Sequence, residues 1–236
     1  MNKKEREVFI QKILGKEHFS FNDLCMITSL LRGEGGCPWD REQTHESIRR
    51  CMIEEAYEVV EAIDNRDSEL LCEELGDVLF QVVFHAQLER EEGRFDASNV
   101  IDGICRKMIH RHPHVFGTST AYNSEEALSQ WEAIKTEEKQ RKTLASRLRA
   151  IPPMLPALLR AQKVHEKMGV SSVDTKKLSK LIAEQAEKLS QQPSEERMGE
   201  LLFAIAKLAV AEKFDAEKSL SQQIERVIFE VETEKN

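Results

Sequence analysis

The sequence predicts an all-α protein that contains two tandem, related helical units. Apolar residues recur at spacings of three and four in nearly every periodic segment, which is the repeat of an amphipathic helix. No segment combines apolar–polar alternation with the β-branched enrichment that is typical of strands. An internal repeat predicts the second unit, because ELGDVLFQVVFHAQ (74–87) is echoed by RMGELLFAIAKLAV (197–210).

Capping signals and breaks set the limits of the predicted helices. Ser68 and Ser98 can accept hydrogen bonds from the free amide groups of a first helical turn, and Asn123 with Glu126 has the spacing of a capping box. Gly and Pro interrupt the periodicity within residues 32–40, 111–124 and 149–158. The predicted helices, in chain order, span residues 21–32, 44–64, 68–92, 98–111, 124–140, 154–168, 175–191, 194–213 and 216–233.

The last of these breaks, RAIPPMLPAL (149–158), is the predicted domain boundary. The first unit then comprises residues 1–150 and the second unit comprises residues 151–236. Both halves of the internal repeat are helical in this division, one in each unit.

Composition predicts a globular cytoplasmic protein. Apolar residues make up 40% of the 236 positions, which is enough to form a core. The net charge of −8 argues against partners such as a nucleic-acid polymer or an anionic membrane, although an acidic pocket loaded with cations can still receive phosphates. Five irregularly spaced cysteines predict no disulfide framework, and no apolar run reaches the length of a membrane helix.

Acidic residues in two neighbouring predicted helices form the strongest chemical signal. The pattern Glu-Glu-x-x-Glu at Glu54 is weak alone, because 42 acidic residues in this chain produce about one such match by chance. The second pattern is more specific. Glu74, Asp77, Gln81 and His85 form one narrow polar stripe on a helix that is otherwise apolar, so the helix and its stripe are predicted to be buried.

A divalent metal ion is the simplest counter-ion for these carboxylates. An ionised carboxylate that is buried without a partner is unfavourable by several kcal/mol, and few cationic residues lie near Glu74. The short connection at 65–67 predicts an antiparallel helical hairpin, in which Glu55 and Glu58 can face the stripe. Oxygen ligands favour Mg²⁺ or Mn²⁺ over zinc. A salt-bridged structural cluster is the alternative.

At these residues the sequence resembles the MazG family of nucleoside triphosphate pyrophosphohydrolases, which are all-α enzymes marked by EExxE followed by ExxD. The motif is Glu54-Glu55-x-x-Glu58 and Glu74-x-x-Asp77. The similarity extends along most of the chain. It includes LRGEGGCPWDREQTHESI (31–48), EELGDVLFQVVFHA (73–86), KMIHRHPHVFG (107–117) and WEAIKTEEK (131–139).

The resemblance implies hydrolysis of a nucleoside triphosphate to the monophosphate and pyrophosphate, with Mg²⁺, by a homodimer. It assigns Glu55, Glu58, Glu74 and Asp77 as metal ligands and Lys107 as the residue that contacts phosphate. Glu54 lies beside the ligands, where it can orient or deprotonate the attacking water.

Other residues near these motifs are further candidates for the site. Trp39, in GCPWD, can stack on a base or can plug the edge of a core. Arg111 can approach a phosphate from the end of its helix. The histidines of HRHPH (110–114) suggest zinc, but Pro113 breaks the helical spacing that would let them converge.

The second unit departs from the motif. It carries Ala183-Glu184-x-x-Glu187 in place of EExxE, and Arg197-x-x-Glu200 in place of ExxD. Arg226 lies roughly where the lysine would be. The second unit lacks one carboxylate and has an arginine at a ligand position, where its positive charge would repel a divalent cation. The second unit is therefore predicted to be structural or regulatory.

Two rival functions stay open at this level. One is a regulatory or interaction protein that keeps the metal-binding fold but has lost efficient turnover. The other is a pyrophosphohydrolase that is specific for dUTP or a modified nucleotide. Base preference depends on pocket shape, which motif spacing does not encode.

Overall fold

The computed structural model describes residues 3–138, 143–169 and 174–233, and every helix or strand within these ranges is an α-helix. The all-α prediction is therefore confirmed. The helices are α1 (Lys3–Leu14), α2 (Phe21–Arg32), α3 (Pro38–Glu42), α4 (Arg49–Asn65), α5 (Ser68–Glu91), α6 (Ala97–Arg111), α7 (Pro113–Phe116), α8 (Ser124–Glu138), α9 (Leu144–Arg149), α10 (Ala157–Lys167), α11 (Thr175–Gln191), α12 (Glu195–Glu212) and α13 (Ala216–Thr233). No helix in the described ranges has the length and apolar character of a membrane span.

Four short or weakly amphipathic helices were not predicted from the sequence: α1, α3, α7 and α9. Helices α3 and α7 begin at Pro38 and Pro113, which the sequence analysis treated as breaks. Proline favours the first helical position, because the amide hydrogen that it lacks would have no partner there. A proline therefore marks the beginning of a short helix as often as the end of a long one.

The chain divides into two compact units, Met1–Tyr122 and Asn123–Asn236. The division lies earlier than the boundary predicted at residue 150, because α8 belongs to the second unit. Glu132 of α8 forms an ion pair with Lys167 of α10 at 3.6 Å. Trp131 of α8 and Leu155 also line one cavity of about 500 Å³. The prolines of the predicted boundary thus lie in a turn within the second unit.

The first unit is organised around the α4–α5 hairpin. Helix α4 ends at Arg66, whose left-handed φ of 57° reverses the chain. Asp67 then caps α5, because its carboxylate accepts from the amides of Glu69 and Leu70, each at 3.0 Å. The core of this unit lies against the second half of α5, where Ile48, Phe84 and Leu88 are buried together.

Arg32 fixes the chain between α2 and α4 onto α5. Its Nη1 donates to the carbonyl oxygens of Asp40 at 2.5 Å and Gln43 at 3.1 Å. Its Nε and Nη2 donate to the carboxylate of Glu91 at 2.9 and 2.7 Å. The guanidinium also lies over the Phe84 ring, 5.2 Å from its centroid. One side chain, only 7% exposed, therefore holds three parts of the first unit together.

The second unit contains a corresponding hairpin, α11–α12, with α10 packed against α12. The internal repeat falls on α5 and α12, which are the second arms of the two hairpins. His165 of α10 is buried, and its Nε2 lies 3.0 Å from the carbonyl oxygen of Phe203. Gln162 joins α10 to the start of α13, since its amide donates to Phe214 and accepts from Ala216.

Candidate metal centre

The hairpin of the first unit brings three carboxylates together. Glu55 and Glu58 lie three residues apart on one face of α4, and Glu74 faces them from α5. One oxygen atom from each side chain lies within 4.8 Å of the other two. The predicted convergence of the two acidic motifs is thus observed for these three residues.

Burial and mutual repulsion raise the affinity of Glu55 and Glu74 for protons. Burial raises the pKa of Glu55, and hydrogen bonding to Glu58 and the charge of Asp77 raise it further. Burial also raises the pKa of Glu74, together with the charges of Glu58 and Asp77. No lysine or arginine in the described ranges forms an ion pair with Glu55, Glu58 or Glu74. An all-oxygen cluster without a protein cation fits a divalent metal ion.

The polar stripe of α5 is buried over only part of its length. Gln81 is buried and His85 is half-buried, whereas Glu74 is half-buried and Asp77 is exposed. The prediction that the whole helix is buried is wrong, since Leu75 and Leu79 are 52% and 41% exposed. The core lies against the second half of α5, and the acidic half therefore has an uncovered side.

The three-carboxylate cluster does not include Asp77 or Glu54. Asp77 is close enough for its charge to raise the pKa of both Glu55 and Glu74. Glu54 is half-exposed, and its Oε1 accepts from Nε of Arg50 at 2.6 Å. Its second oxygen has no hydrogen-bond partner among the residues that the structure describes.

The predicted substrate-binding residues lie on two helices, α3 and α6. Trp39 is in α3 and is 61% exposed, so its ring does not plug a core. Lys107 is exposed on α6, and Arg111 at the end of that helix is only 6% exposed. Within the described part of the chain, no hydrogen bond or ion pair joins Trp39 or Lys107 to the carboxylate cluster. These three assignments stay predictions.

The histidines of HRHPH form no metal site in the described ranges. The rings of His112 and His114 lie 5.6 Å apart in an edge-to-face arrangement. Nδ1 of His112 is directed to the carbonyl oxygen of Met108 at 2.6 Å.

Sequence reasoning missed a polar network that lies further along the same α5 stripe. His45, from the α3–α4 connection (residues 43–48), contacts His85 and Glu89 of α5, each at 2.7 Å. His85 was placed on the stripe from its helical spacing, but His45 precedes it by 40 residues. Helical periodicity relates residues of one helix and gives no signal for such a partner.

At the altered motif position of the second unit, the side chain of Arg197 caps the end of helix α11. The guanidinium of Arg197 donates to the carbonyl oxygens of Lys188 at 3.2 Å and Gln192 at 2.7 Å. These groups lie at the end of α11. The carbonyl oxygen of Lys188 also accepts from the amide of Gln192 at 3.0 Å, whereas that of Gln192 lies beyond the last turn, where carbonyl oxygens have no partner within the helix. No cluster of metal-ligating side chains is found in the described residues of this unit.

Comparison with known proteins agrees with this geometry. The family model of the MazG nucleotide pyrophosphohydrolase domain matches residues 43–116. A relative from Thermotoga maritima, named nucleoside triphosphate pyrophosphohydrolase/pyrophosphatase MazG, is 41% identical over 215 residues, which cover 88% of this chain and 82% of the relative. The chain belongs to the MazG family. A MazG relative from Escherichia coli strain K12, named nucleoside triphosphate pyrophosphohydrolase, is 42% identical over 224 residues, which cover 89% of this chain and 85% of the relative.

The MazG domain match covers most of the predicted site residues. Residues 43–116 include all four predicted metal ligands, Glu54, Lys107 and Arg111. The match begins after Trp39 and ends before the second unit. The family relationship that the motifs predicted is confirmed.

Proposed function

We propose that this protein hydrolyses nucleoside triphosphates to nucleoside monophosphates and pyrophosphate, with Mg²⁺ or in its place Mn²⁺, at the carboxylate cluster of the first unit. The observation that carries the proposal is the convergence of Glu55, Glu58 and Glu74 within 4.8 Å. The activity that the names of the Thermotoga maritima and Escherichia coli relatives state supports it. The expected setting is the cytoplasm, where the enzyme removes unwanted nucleotides and has neither a nucleic-acid polymer nor a membrane as partner.

Four carboxylates are proposed to hold the metal ion: Glu55, Glu58, Glu74 and Asp77. Their mutual repulsion in the absence of a cation supports this role. The chemistry that a bound divalent ion supplies here is neutralisation of the triphosphate charge, polarisation of the α-phosphorus and activation of a water molecule. The protein contributes a rigid hairpin that keeps the carboxylates at a fixed spacing.

Glu54 is the proposed catalytic residue. It lies on α4 next to the cluster, and one of its oxygens can accept a proton from water or orient that water. The ion pair with Arg50 does not prevent this, since an exposed pair four residues apart on a helix is weak and exchanges readily with solvent.

Three residues are proposed to contact the substrate. Lys107 is an exposed cation suited to a phosphate, and the exposed ring of Trp39 is suited to stacking on a base. Arg111 is also assigned to phosphate, although its burial means that a phosphate must reach it at the end of α6.

The protein is further proposed to be a homodimer, because the first unit exposes apolar residues on both arms of its hairpin. Ile53, Tyr57 and Val60 follow one face of α4, and Leu75 and Leu79 follow one face of α5. A second copy would cover these faces as a helical bundle does. We expect Leu79→Lys to lower the mass measured by sedimentation equilibrium from that of a dimer to that of a monomer. A wild-type monomer at all concentrations would contradict the proposal.

The direct test of the activity is pyrophosphate release from a panel of nucleoside triphosphates, with and without Mg²⁺. We expect release that requires the metal ion, with the nucleoside monophosphate as the second product. Turnover of dUTP or a modified nucleotide alone would favour the narrow specificity. Absence of turnover with every substrate would favour the regulatory interpretation and overturn the proposed activity.

A further inference from the structure

A hydrogen bond joins one ring nitrogen of His45 to one ring nitrogen of His85. The Nδ1 atoms of the two imidazoles lie 2.7 Å apart, which leaves room for one hydrogen atom. The ring planes differ by 7°, with centroids 5.0 Å apart. One ring must therefore donate and the other must accept.

Glu89 determines whether the second ring nitrogen of His45, Nε2, donates or accepts a hydrogen bond. Its carboxylate lies 2.7 Å from Nε2 of His45 and accepts from Arg94 at 2.9 Å. Hydrogen bonding to Arg94 lowers the pKa of Glu89 to about 2, with a further contribution from His45. Because this carboxylate is ionised near neutral pH, Nε2 of His45 is the donor. A neutral His45 thus has Nδ1 as its acceptor, and His85 donates to it.

The pair can hold one net positive charge without losing this contact. If His45 becomes an imidazolium, it donates through Nδ1 to a neutral His85; if His85 is the cation, it donates to a neutral His45. If both rings are protonated, two hydrogen atoms point into the same 2.7 Å gap, which is sterically and electrostatically unfavourable. Double protonation therefore breaks the contact.

The contact lies close to the point at which α4 starts. His45 lies in the α3–α4 connection, and Ile48 at the end of that connection is buried against Phe84 and Leu88 of α5. Helix α4 begins at the next residue, Arg49, and reaches Glu55 within two turns. Movement of this connection would change how α4 lies along α5, and with it the distances between carboxylates on the two helices.

We propose that His45 and His85 are positioning residues that align α4 with α5, and that protonation of both rings releases this alignment. The inference depends on the proposed function, because the aligned groups are the carboxylates assigned there to the metal ion. His45 and His85 do not touch those carboxylates, and His85 lies eight residues beyond Asp77 on α5.

Other charged groups face the pair and contribute to its titration. A cavity of about 240 Å³ beside His45 is lined by Arg32, Glu46, Glu91, Glu92 and Arg94. Burial and the neighbouring His45 lower the pKa of His85 from its ordinary 6.5. The second protonation therefore occurs below pH 6.5. The alignment is complete above pH 6.5 and is lost as the pH falls through the lowered pKa of His85.

Hydrogen exchange measures the release directly. We compare the rate of amide hydrogen exchange in the peptide that spans residues 43–52 of the wild type at about pH 8 and about pH 5. Each rate is corrected for the intrinsic exchange rate at that pH. We expect exchange about 10-fold faster at the acidic pH. The double variant His45→Phe/His85→Phe keeps two flat rings without a titrating proton and should show no such change. Equal protection of the wild type at both pH values would overturn the proposal.

Pyrophosphate release across the same pH range supplies the second measurement. The wild type should lose activity on the acidic side more steeply than the double variant, whereas His18→Gln, a change at an exposed histidine of the same unit, should follow the wild type. If the double variant fails to fold, His85→Gln replaces it, since a neutral amide keeps a donor and an acceptor. Turnover at no pH would refute the proposed function, and the exchange result would still decide the role of the pair.

Discussion

Replacement of Glu74 with glutamine should reduce metal-dependent turnover by roughly 10²- to 10³-fold and should stabilise the protein when no metal is present. Both effects have one cause. The side chain supplies a ligand oxygen, but without a cation its charge is repelled by Glu58 and Asp77, which contribute to its raised pKa after burial. A neutral amide of the same shape removes the repulsion and the ligand together.

Pyrophosphate release and thermal unfolding, each with and without Mg²⁺, check this prediction. At about 100 times its dissociation constant, Mg²⁺ should stabilise the wild type by about 2.7 kcal/mol, and Glu74→Gln should lose most of that gain. The control is Glu69→Gln, which removes an exposed carboxylate from the same helix. Glu54→Gln should keep the stabilisation by Mg²⁺ while losing turnover. Full metal-dependent activity in Glu74→Gln would refute the assignment of hydrolysis to the first unit.

The prediction of the hairpin and its acidic cluster from sequence was possible because both are local features. Glu55 and Glu58 are one turn apart, and Glu74 lies on the next helix after a two-residue connection. The spacing of apolar residues orients each helix, and a short connection makes the two helices antiparallel. The ligand geometry thus needs no contact between distant parts of the chain.

The extent of burial could not be predicted in the same way. The apolar residues of α5 predict a covered helix, yet Leu75 and Leu79 are exposed. Periodicity states which residues favour burial but not whether another element of the same chain reaches them. The apolar faces left open on α4 and α5 are the surfaces that we assign to a second copy of the chain.

Contacts between residues that are distant in the sequence could not be predicted either. Arg32 meets Glu91 over a separation of 59 residues, and its two carbonyl acceptors are backbone groups that carry no sequence signal. From sequence, RGEGGCPWD is a break that carries Trp39 and part of the MazG similarity. In the folded unit, Gly36 is required there as well, because a Cβ atom at this position would lie 2.1 Å from the carbonyl oxygen of Leu31.

Replacement of Arg32 with methionine should lower the unfolding free energy of the first unit by about 2–4 kcal/mol. Methionine keeps the apolar stem beside Phe84 but loses every hydrogen bond of the guanidinium. The carbonyl group of Gln43 is then left without its donor, that of Asp40 keeps only the 3.4 Å hydrogen bond from the Gln43 amide, and Glu91 is left without its cation. Urea unfolding followed by Trp39 fluorescence, in a Trp131→Phe background, measures this unit.

Arg106→Met is the matched control, because Arg106 and Asp102 form an ion pair of the same 2.7 Å length that is exposed on both sides. This variant should unfold at nearly the wild-type urea concentration, since an exposed pair exchanges readily with water. Arg32→Lys separates charge from shape: it keeps the cation but cannot reproduce the planar fork, so most of the loss should persist. Equal midpoints for the Arg32→Met and Arg106→Met variants would contradict this prediction. The length of the two ion pairs is identical, and a difference between the variants must therefore come from burial, from the second hydrogen bond to the carboxylate, from the Phe84 ring and from the two backbone carbonyls that only Arg32 reaches.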